Sequence, residues 1–187
     1  MTPTNSRRIA VVGATSSGKT TLAREIAHRF GVPHVELDAL RYRQGWVETS
    51  EEVFRGAVTE CVGEDQWVID GNYEDVRDLI WLRTQLLVWI DFPLYVTLGR
   101  LLRRTFSRLF GNEEFAGGNR EQMGRVFGKQ SILIWAIRSH RRRRRQYEEL
   151  LVHPRYAHLK VVRLRSPSAV RDWLADLPGP KKGTGPG

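Results

Sequence analysis

The feature that most constrains this chain is the segment at residues 13–20, Gly-Ala-Thr-Ser-Ser-Gly-Lys-Thr, which matches the pattern G-x-x-x-x-G-K-[ST]. An apolar run of strand length, residues 8–12, precedes it, and residues 21–30 carry apolar side chains at helical spacing. In this order of strand, loop and helix, the N–H groups of the loop and the helix dipole surround a phosphate group. The segment therefore predicts a nucleoside triphosphate site within an α/β fold.

The residue types of the loop indicate separate roles. Gly13 and Gly18 allow backbone conformations and a close approach that a β-carbon would prevent. Lys19 is expected to reach the β- and γ-phosphates of ATP, and the Thr20 hydroxyl is expected to bind Mg²⁺. The predicted nucleotide-binding residues are Gly13, Ala14, Thr15, Ser16, Ser17, Gly18, Lys19, Thr20 and Thr21.

Length and composition predict a single domain. The chain has 187 residues, and the Gly-, Pro- and Lys-rich segment 178–187 predicts a disordered tail behind a domain at residues 1–177. The sequence contains neither an apolar run of eighteen residues nor an apolar leader. Its one cysteine is Cys61. We expect a cytoplasmic protein without a membrane span or an internal disulfide.

The net charge is +9, and Arg supplies 25 of the 30 basic residues. Arginine suits polyphosphates and nucleic acid, although a codon bias towards Arg would give the same composition. Five arginines run consecutively from Arg141 to Arg145. They could form a solvated helix face, contribute one or two residues to a phosphate clamp, or bind nucleic acid as a block. Consecutive residues point all round a helix, so they cannot all face one phosphate.

Three predicted strands end on a carboxylate. Asp38 ends the run at 34–38, Asp70 the run at 66–70, and Asp91 the run at 86–91. Ligands of open α/β sheets lie beyond the carboxyl ends of the strands. Asp70 and Asp91 therefore compete as the residue that holds Mg²⁺ or its water, and we favour Asp70. Asp38 is placed to meet a substrate, and each of the three could instead cap a helix.

Helices are predicted around these strands. Thr49 and Glu52 are spaced as a capping box for a helix that ends near residue 62, and Ser166 is expected to cap the last helix. Two basic helices, at about 94–110 and 130–152, flank the Gly-rich and charged residues 111–120. That composition predicts a mobile segment.

Four stretches, in order, resemble the adenylate-kinase group of nucleoside and nucleotide kinases: residues 13–20, D-A-L-R at 38–41, I-D-G at 69–71 and I-D-F-P at 90–93. The patterns E-L-D-x-L, I-D-G-N-Y, D-F-P and G-G-N-R-E, with a late Arg-rich helix, are similar to the DNA topology modulation (FlaR-type) proteins of this group over residues 8–177.

The resemblance implies a three-layer fold with a mainly parallel five-stranded sheet of order 2-3-1-4-5, helices on both faces and a helical lid at about 104–138. It makes Arg41 a candidate for binding an acceptor phosphate, with Gly71 and Tyr73 beside it. The Asn-Tyr after Gly71 departs from the Pro and Arg usual in adenylate kinases, so AMP is not a safe choice of acceptor. The lid lacks paired cysteines, which excludes a zinc-stapled lid.

The sequence thus predicts transfer of the γ-phosphoryl group from Mg·ATP to a small acceptor such as a nucleoside, a nucleotide or a similar metabolite. Asp38 would orient or deprotonate an acceptor hydroxyl. The lid candidates for stabilising charge on the transferred group are Arg104, Arg120 and Arg138. The alternative is a nucleic-acid-binding P-loop ATPase or regulator that uses residues 141–145. The acceptor, the choice between ATP and GTP, and the oligomeric state stay open.

Overall fold

A computed structural model describes residues 6–43, 47–110 and 129–179; within the helices beside the larger gap, the side chains of 104–110 and 129–137 are not described. The strands are β1 (Arg8–Gly13), β2 (His34–Glu36), β3 (Tyr42–Arg43), β4 (Val47–Glu48), β5 (Trp67–Asp70), β6 (Leu86–Ile90) and β7 (Lys160–Leu164). The helices are α1 (Lys19–Phe30), α2 (Leu37–Arg41), α3 (Glu51–Gly63), α4 (Arg77–Arg83), α5 (Leu94–Phe110), α6 (Lys129–Leu151) and α7 (Pro167–Ala175). Short 3₁₀ turns lie at Glu74–Val76 and Pro154–Tyr156.

Five strands form one parallel sheet in the order β2-β5-β1-β6-β7. Counted among these five strands alone, the order is 2-3-1-4-5, so the predicted topology is confirmed. The strands β3 and β4 form a separate antiparallel pair, which the sequence did not predict.

Both faces of the sheet are covered, which explains why its central strands are apolar at successive positions. One face carries Ala10, Ile69 and Trp89 and packs against α3, α4 and α6. The other face carries Ile9 and Val88 and packs against α1 and α7. The predicted three-layer α/β architecture is confirmed.

Two local predictions were wrong. Strand β2 ends at Glu36 rather than at Asp38, because Asp38 lies in the first turn of α2. The N-cap of α3 is Ser50, whose side chain accepts a hydrogen bond from the Val53 N–H. The Thr49 hydroxyl instead donates to the Arg41 carbonyl, which ties the start of α3 to the end of α2. Ser166 caps α7 as predicted.

The predicted lid can be followed only at its two ends. Both flanking helices, α5 and α6, lie between β6 and β7 in the chain, as expected. Residues 111–128, including Arg120, lie outside the described residues, and so do residues 180–187 of the predicted tail. Among the helices that are described, none is long and apolar enough to cross a membrane.

Candidate active site

The phosphate-binding loop connects β1 to α1 in the conformation that its sequence requires. Gly18 has φ 91°, and Ser16 has φ 61°, which is uncommon for a residue other than glycine. A β-carbon on Gly13 would lie 2.9 Å from both the Ile90 carbonyl oxygen and Ser17 Oγ, so only glycine fits there. The loop thus lies at the N-terminus of α1, a position at which helices offer backbone N–H groups to an anion.

Two serine hydroxyls of the loop support an anionic ligand. Within the described part of the chain, Ser16 Oγ and Ser17 Oγ are buried and have no hydrogen-bond partner. Buried polar atoms ordinarily find partners, because leaving one unpaired costs about 1–3 kcal/mol. A bound polyphosphate with accepting oxygens would satisfy both hydroxyls, so the loop's residues fit ATP.

The two predicted metal ligands that we favoured lie together. The Thr20 hydroxyl donates to Asp70 Oδ1 at 2.9 Å, and His34 Nε2 lies 2.7 Å from Asp70 Oδ2. Asp70 is 1% exposed at the end of β5, and Thr20 stands in the first turn of α1. Glu36 lies beside them, and burial followed by the charges of Asp70 and Asp38 raises its pKa. This concentration of oxygen ligands and negative charge suits Mg²⁺.

Asp91, the competing candidate, is engaged elsewhere. Its Oδ2 accepts from Arg163 Nε at 2.8 Å and lies 3.6 Å from Arg144 Nη2. The Arg163 guanidinium also stacks over the Trp89 ring at 4.0 Å. Burial alone would lower the pKa of Arg163, but hydrogen bonds to Glu148 and Asp91 raise it. Asp91 therefore joins β6 to β7 and α6, whereas Asp70 lies against the loop helix.

Residues 70–73, at the end of β5 and in the turn that follows it, contact α1, α2 and β1. Asp70 contacts α1, and Gly71, at φ 148°, passes so close to Leu37 that an added β-carbon would lie 2.7 Å from it. Asn72 bonds the backbone of Gly13, and the Tyr73 hydroxyl donates to Asp38 Oδ1 at 2.7 Å. Sequence reasoning gave Asn72 no role, although its place between two predicted site residues was a usable signal.

The predicted acceptor residues gather beside this turn. Tyr73 packs edge-on to Phe54 at 5.1 Å, and the Arg41 guanidinium lies over the same Phe54 ring at 5.2 Å. Burial and the hydrogen bond to Asp38 raise the pKa of Tyr73, so its hydroxyl stays protonated and donates to Asp38. Arg41 Nη2 lies 3.5 Å from Glu48, while its Nη1 is buried without a hydrogen-bond partner among the residues described. Asp38 itself is exposed, so this cluster combines an accessible carboxylate with an unsatisfied guanidinium.

An arginine that the sequence did not select for the site lies on the loop. Arg100 of α5 donates from Nη1 to the Ser17 carbonyl at 2.7 Å and stacks over the Phe92 ring at 5.0 Å. Of the predicted lid arginines, Arg138 is exposed on α6, while the side chain of Arg104 and all of Arg120 lie outside the described residues. Arg100 was visible in the sequence as the first arginine of the basic helix.

The arginine run of α6 is divided among different neighbours. Arg142 lies 3.5 Å from Glu74, and Arg144 pairs with Asp91 and Glu148. Arg143 is half-buried, and Arg141 and Arg145 are exposed. The run therefore surrounds the helix, as predicted, and part of it is used in ion pairs within the protein.

Comparison with known proteins agrees with this architecture. The model of the ATPase family associated with various cellular activities (AAA) matches residues 9–69, a third of the chain that begins in β1 and ends in β5. Shikimate kinase from Acinetobacter baumannii, in complex with shikimate, has a TM-score of 0.59 and 18% identity, covering 92% of this chain and 90% of that chain. Shikimate kinase from Bacteroides thetaiotaomicron has a TM-score of 0.54 and 16% identity, covering 91% and 95%.

The chain has the fold of these kinases. A gluconokinase from Sinorhizobium meliloti 1021 has it too, with a TM-score of 0.51, 21% identity and 90% coverage of both chains. No curated protein matches the sequence. The closer resemblance to FlaR-type proteins stays a prediction.

Proposed function

We propose that this protein is an ATP-dependent small-molecule kinase, which moves the γ-phosphoryl group of Mg·ATP to a nucleoside, a nucleotide or a similar metabolite. The observation that carries the proposal is the arrangement at the carboxyl edge of the sheet. A phosphate-binding loop with Thr20 against Asp70 lies beside an exposed Asp38 that Tyr73 orients. The fold shared with shikimate kinases and a gluconokinase supports the same proposal.

On the nucleotide side, the protein's work is positioning and charge neutralisation, because phosphoryl transfer leaves little covalent chemistry to the enzyme. Lys19 and the loop amides hold the β- and γ-phosphates. Thr20 and Asp70 would hold Mg²⁺ and its water, and His34 fixes the other oxygen of the Asp70 carboxylate. Mg²⁺, when bound, neutralises charge on the phosphate oxygens.

On the acceptor side, Asp38 accepts a hydrogen bond from the acceptor hydroxyl and takes its proton as the hydroxyl oxygen bonds to the γ-phosphorus and the bond from that phosphorus to ADP breaks. The Tyr73 hydroxyl holds the Asp38 carboxylate in place from the other side. Arg41 uses its unsatisfied Nη1 to bind an anionic group of the acceptor.

Charge on the transferred group is stabilised by arginines of the two helices between β6 and β7. Arg100 is already at the loop, and exchanging the Ser17 carbonyl for a phosphate oxygen would give it a charged partner in place of a neutral one. Arg104, Arg120 and Arg138 stay candidates for the same role. We propose that residues 1–177 form one kinase domain with a lid at about 104–138.

The test is ADP release from Mg·ATP against a panel of nucleosides, nucleoside monophosphates, sugar acids and hydroxylated carboxylic acids. Lys19→Ala serves as the inactive enzyme. Lys160→Ala, an exposed lysine at the opposite edge of the sheet, serves as the matched control. We expect acceptor-dependent ADP release that Lys19→Ala abolishes and Lys160→Ala preserves. ADP release that requires DNA or RNA would replace this proposal with the nucleic-acid-dependent ATPase, and absence of release with every acceptor would contradict the kinase.

A further inference from the structure

The sheet has an uneven edge beside the phosphate-binding loop. Strand β5 ends at Asp70, opposite Val11, whereas β1 continues beside β6 to the pair Gly13 and Ile90. The Gly71 N–H bonds the Val11 carbonyl, so the backbone groups of Val11 face β5. Because orientation alternates along a strand, the N–H and C=O of Gly13 face the same side, where β5 has already left the sheet.

The side chain of Asn72 fills this position. Its Oδ1 accepts from the Gly13 N–H at 3.1 Å, and its Nδ2 donates to the Gly13 carbonyl. The carboxamide offers the same donor and acceptor as a peptide group. It therefore makes the two hydrogen bonds to Gly13 that a longer β5 would make through its backbone. The orientation of the amide follows from its partners, since the Gly13 N–H can only donate and its C=O can only accept.

Tyr147 of α6 holds the Asn72 side chain in turn. Its hydroxyl donates to Asn72 Oδ1 at 2.9 Å. The tyrosine is 3% exposed, with Trp81 and Trp89 rings at 5.7 Å and 5.5 Å. Burial raises the pKa of Tyr147 to about 12, so the hydroxyl remains a donor throughout the neutral range.

The helix that presents Tyr147 is itself fixed to the sheet along one face. His140 Nε2 lies 2.8 Å from the Phe92 carbonyl, and Arg144 pairs with Asp91. Residues 140, 144 and 147 are spaced by four and three, so they share the side of α6 that lies across the strand ends. The residue that holds Asn72 therefore belongs to a helix that is bonded to the chain just after β6.

We propose that Asn72 and Tyr147 are positioning residues for the nucleotide, which hold Gly13 in the backbone conformation that the phosphate-binding loop needs. The inference rests on the proposed nucleotide site. Without this pair, the first residue of the loop loses a donor partner and an acceptor partner, and the loop samples more conformations. Ordering it again on binding costs affinity for the nucleotide but leaves the acceptor residues in place.

The decisive variant is Tyr147→Phe, which removes one hydroxyl and keeps the ring. Tyr156→Phe is its matched control, because Tyr156 is also buried and packs on Trp81 at 5.2 Å but lies outside the pair. We expect Tyr147→Phe to raise the Kd of a non-hydrolysable Mg·ATP analogue about fivefold, and Asn72→Ala to raise it about tenfold or more. Tyr156→Phe should leave the Kd within about twofold of the parent value.

A double variant tests whether Tyr147 acts through Asn72. In the Asn72→Ala background, Tyr147→Phe should add no further loss of affinity, because the residue that transmits its effect is gone. Independent, multiplying losses would contradict the proposed chain of contacts. Backbone hydrogen exchange of the ligand-free protein gives a second readout: the peptide containing residues 10–17 should exchange faster in Tyr147→Phe than in Tyr156→Phe.

The outcomes separate this inference from the proposed function. If the parent protein binds nucleotide and Lys19→Ala does not, while Tyr147→Phe binds and exchanges like the parent, the positioning role is wrong and the nucleotide site stands. If Tyr147→Phe and Tyr156→Phe lower Tm and affinity alike, the tyrosine contributes only to packing and the inference is overturned. If the parent protein binds no nucleotide, both proposals fail.

Discussion

The hydroxyl of Thr20 donates a hydrogen bond of 2.9 Å to Asp70, fifty residues further along the chain. The contact joins the first turn of α1 to the end of β5, and the second Asp70 oxygen is held by His34. The two residues that we propose for the Mg²⁺ site are therefore held side by side by contacts within the protein. Such preorganisation lowers the conformational cost of binding the metal–nucleotide complex.

Asp70→Asn is expected to weaken Mg²⁺-dependent catalysis. The amide keeps the shape of the side chain but loses the negative charge that we propose to hold Mg²⁺ and its water. We expect kcat/KM for Mg·ATP to fall about 10- to 100-fold, with a higher Mg²⁺ concentration needed for half-maximal rate. Steady-state kinetics at varied Mg²⁺ concentration measures both effects.

Asp91→Asn is the matched comparison, because it removes the same charge at the end of β6, which β1 separates from β5. The new amide is a weaker partner for Arg163, and the side chain of residue 91 is only 3% exposed. The free energy of unfolding should therefore fall by about 1–3 kcal/mol. The Mg²⁺ dependence should be unchanged. A shifted Mg²⁺ dependence in Asp91→Asn, and not in Asp70→Asn, would reverse the assignment of the metal ligand.

Gly71→Ala is expected to destabilise the protein strongly. Residue 71 has φ 148°, and a β-carbon there would lie 2.7 Å from Leu37. Strain and overlap together should cost more than about 2 kcal/mol of unfolding free energy. Gly56→Ala provides the contrast, since Gly56 is exposed within α3 with open space around it, and the change should stabilise by about 0.5–1 kcal/mol. Denaturant-induced unfolding measures the free energy of unfolding of both variants. Equal changes in the two variants would contradict the proposed strain and overlap at residue 71.

We expect Tyr73→Phe and Asp38→Asn to lower kcat/KM for the acceptor and to leave the affinity for nucleotide unchanged. Removing the Asp38 carboxylate should lower kcat/KM for the acceptor by about 10²–10⁴-fold, the range for a positioned general base. Removing the Tyr73 hydroxyl should cost about fivefold, the contribution of one hydrogen bond. Calorimetric Kd values for nucleotide should stay at the parent level, and a parallel loss of nucleotide affinity would show that these residues belong to the loop instead.

Arg100→Ala is expected to slow phosphoryl transfer. Its guanidinium already lies on the loop, and losing a charged donor at the transition state should lower kcat about hundredfold. Arg103→Ala, on the same helix and exposed, should change kcat less than about twofold. Single-turnover rates separate transfer from product release. If the two variants behave alike, Arg100 serves only to hold the helix against the loop.

The fold was predictable because its signals are local. A strand, a glycine-rich loop and an apolar helix at residues 8–30 fix the first unit, and apolar runs mark the other buried strands. The prediction failed at Asp38, because the alternation that reads as a strand continues into the first turn of α2. A strand of three residues, such as β2, is too short for its alternation of polar and apolar residues to show where it ends.

The candidate site was less predictable, since its contacts are set by tertiary packing. Nothing near Asp91 in sequence reveals that Arg163, seventy-two residues away, occupies its carboxylate. Asn72 likewise acts on Gly13 across fifty-nine residues, through a gap that exists only because β5 is shorter than β1. The residue pattern was sufficient to nominate Asp70, and the family resemblance to nominate Tyr73, but only the folded structure shows what each side chain touches.

The turn at residues 70–73 has a consequence for how this chain can vary. Asp70 contacts Thr20 of α1, and Gly71 packs against Leu37 of α2. Asn72 bonds the end of β1, and Tyr73 donates to Asp38. Deleting or inserting one residue here would shift every later member onto the wrong neighbour at once. We therefore expect this turn to keep its length in any homologue that retains the site, even where individual side chains change.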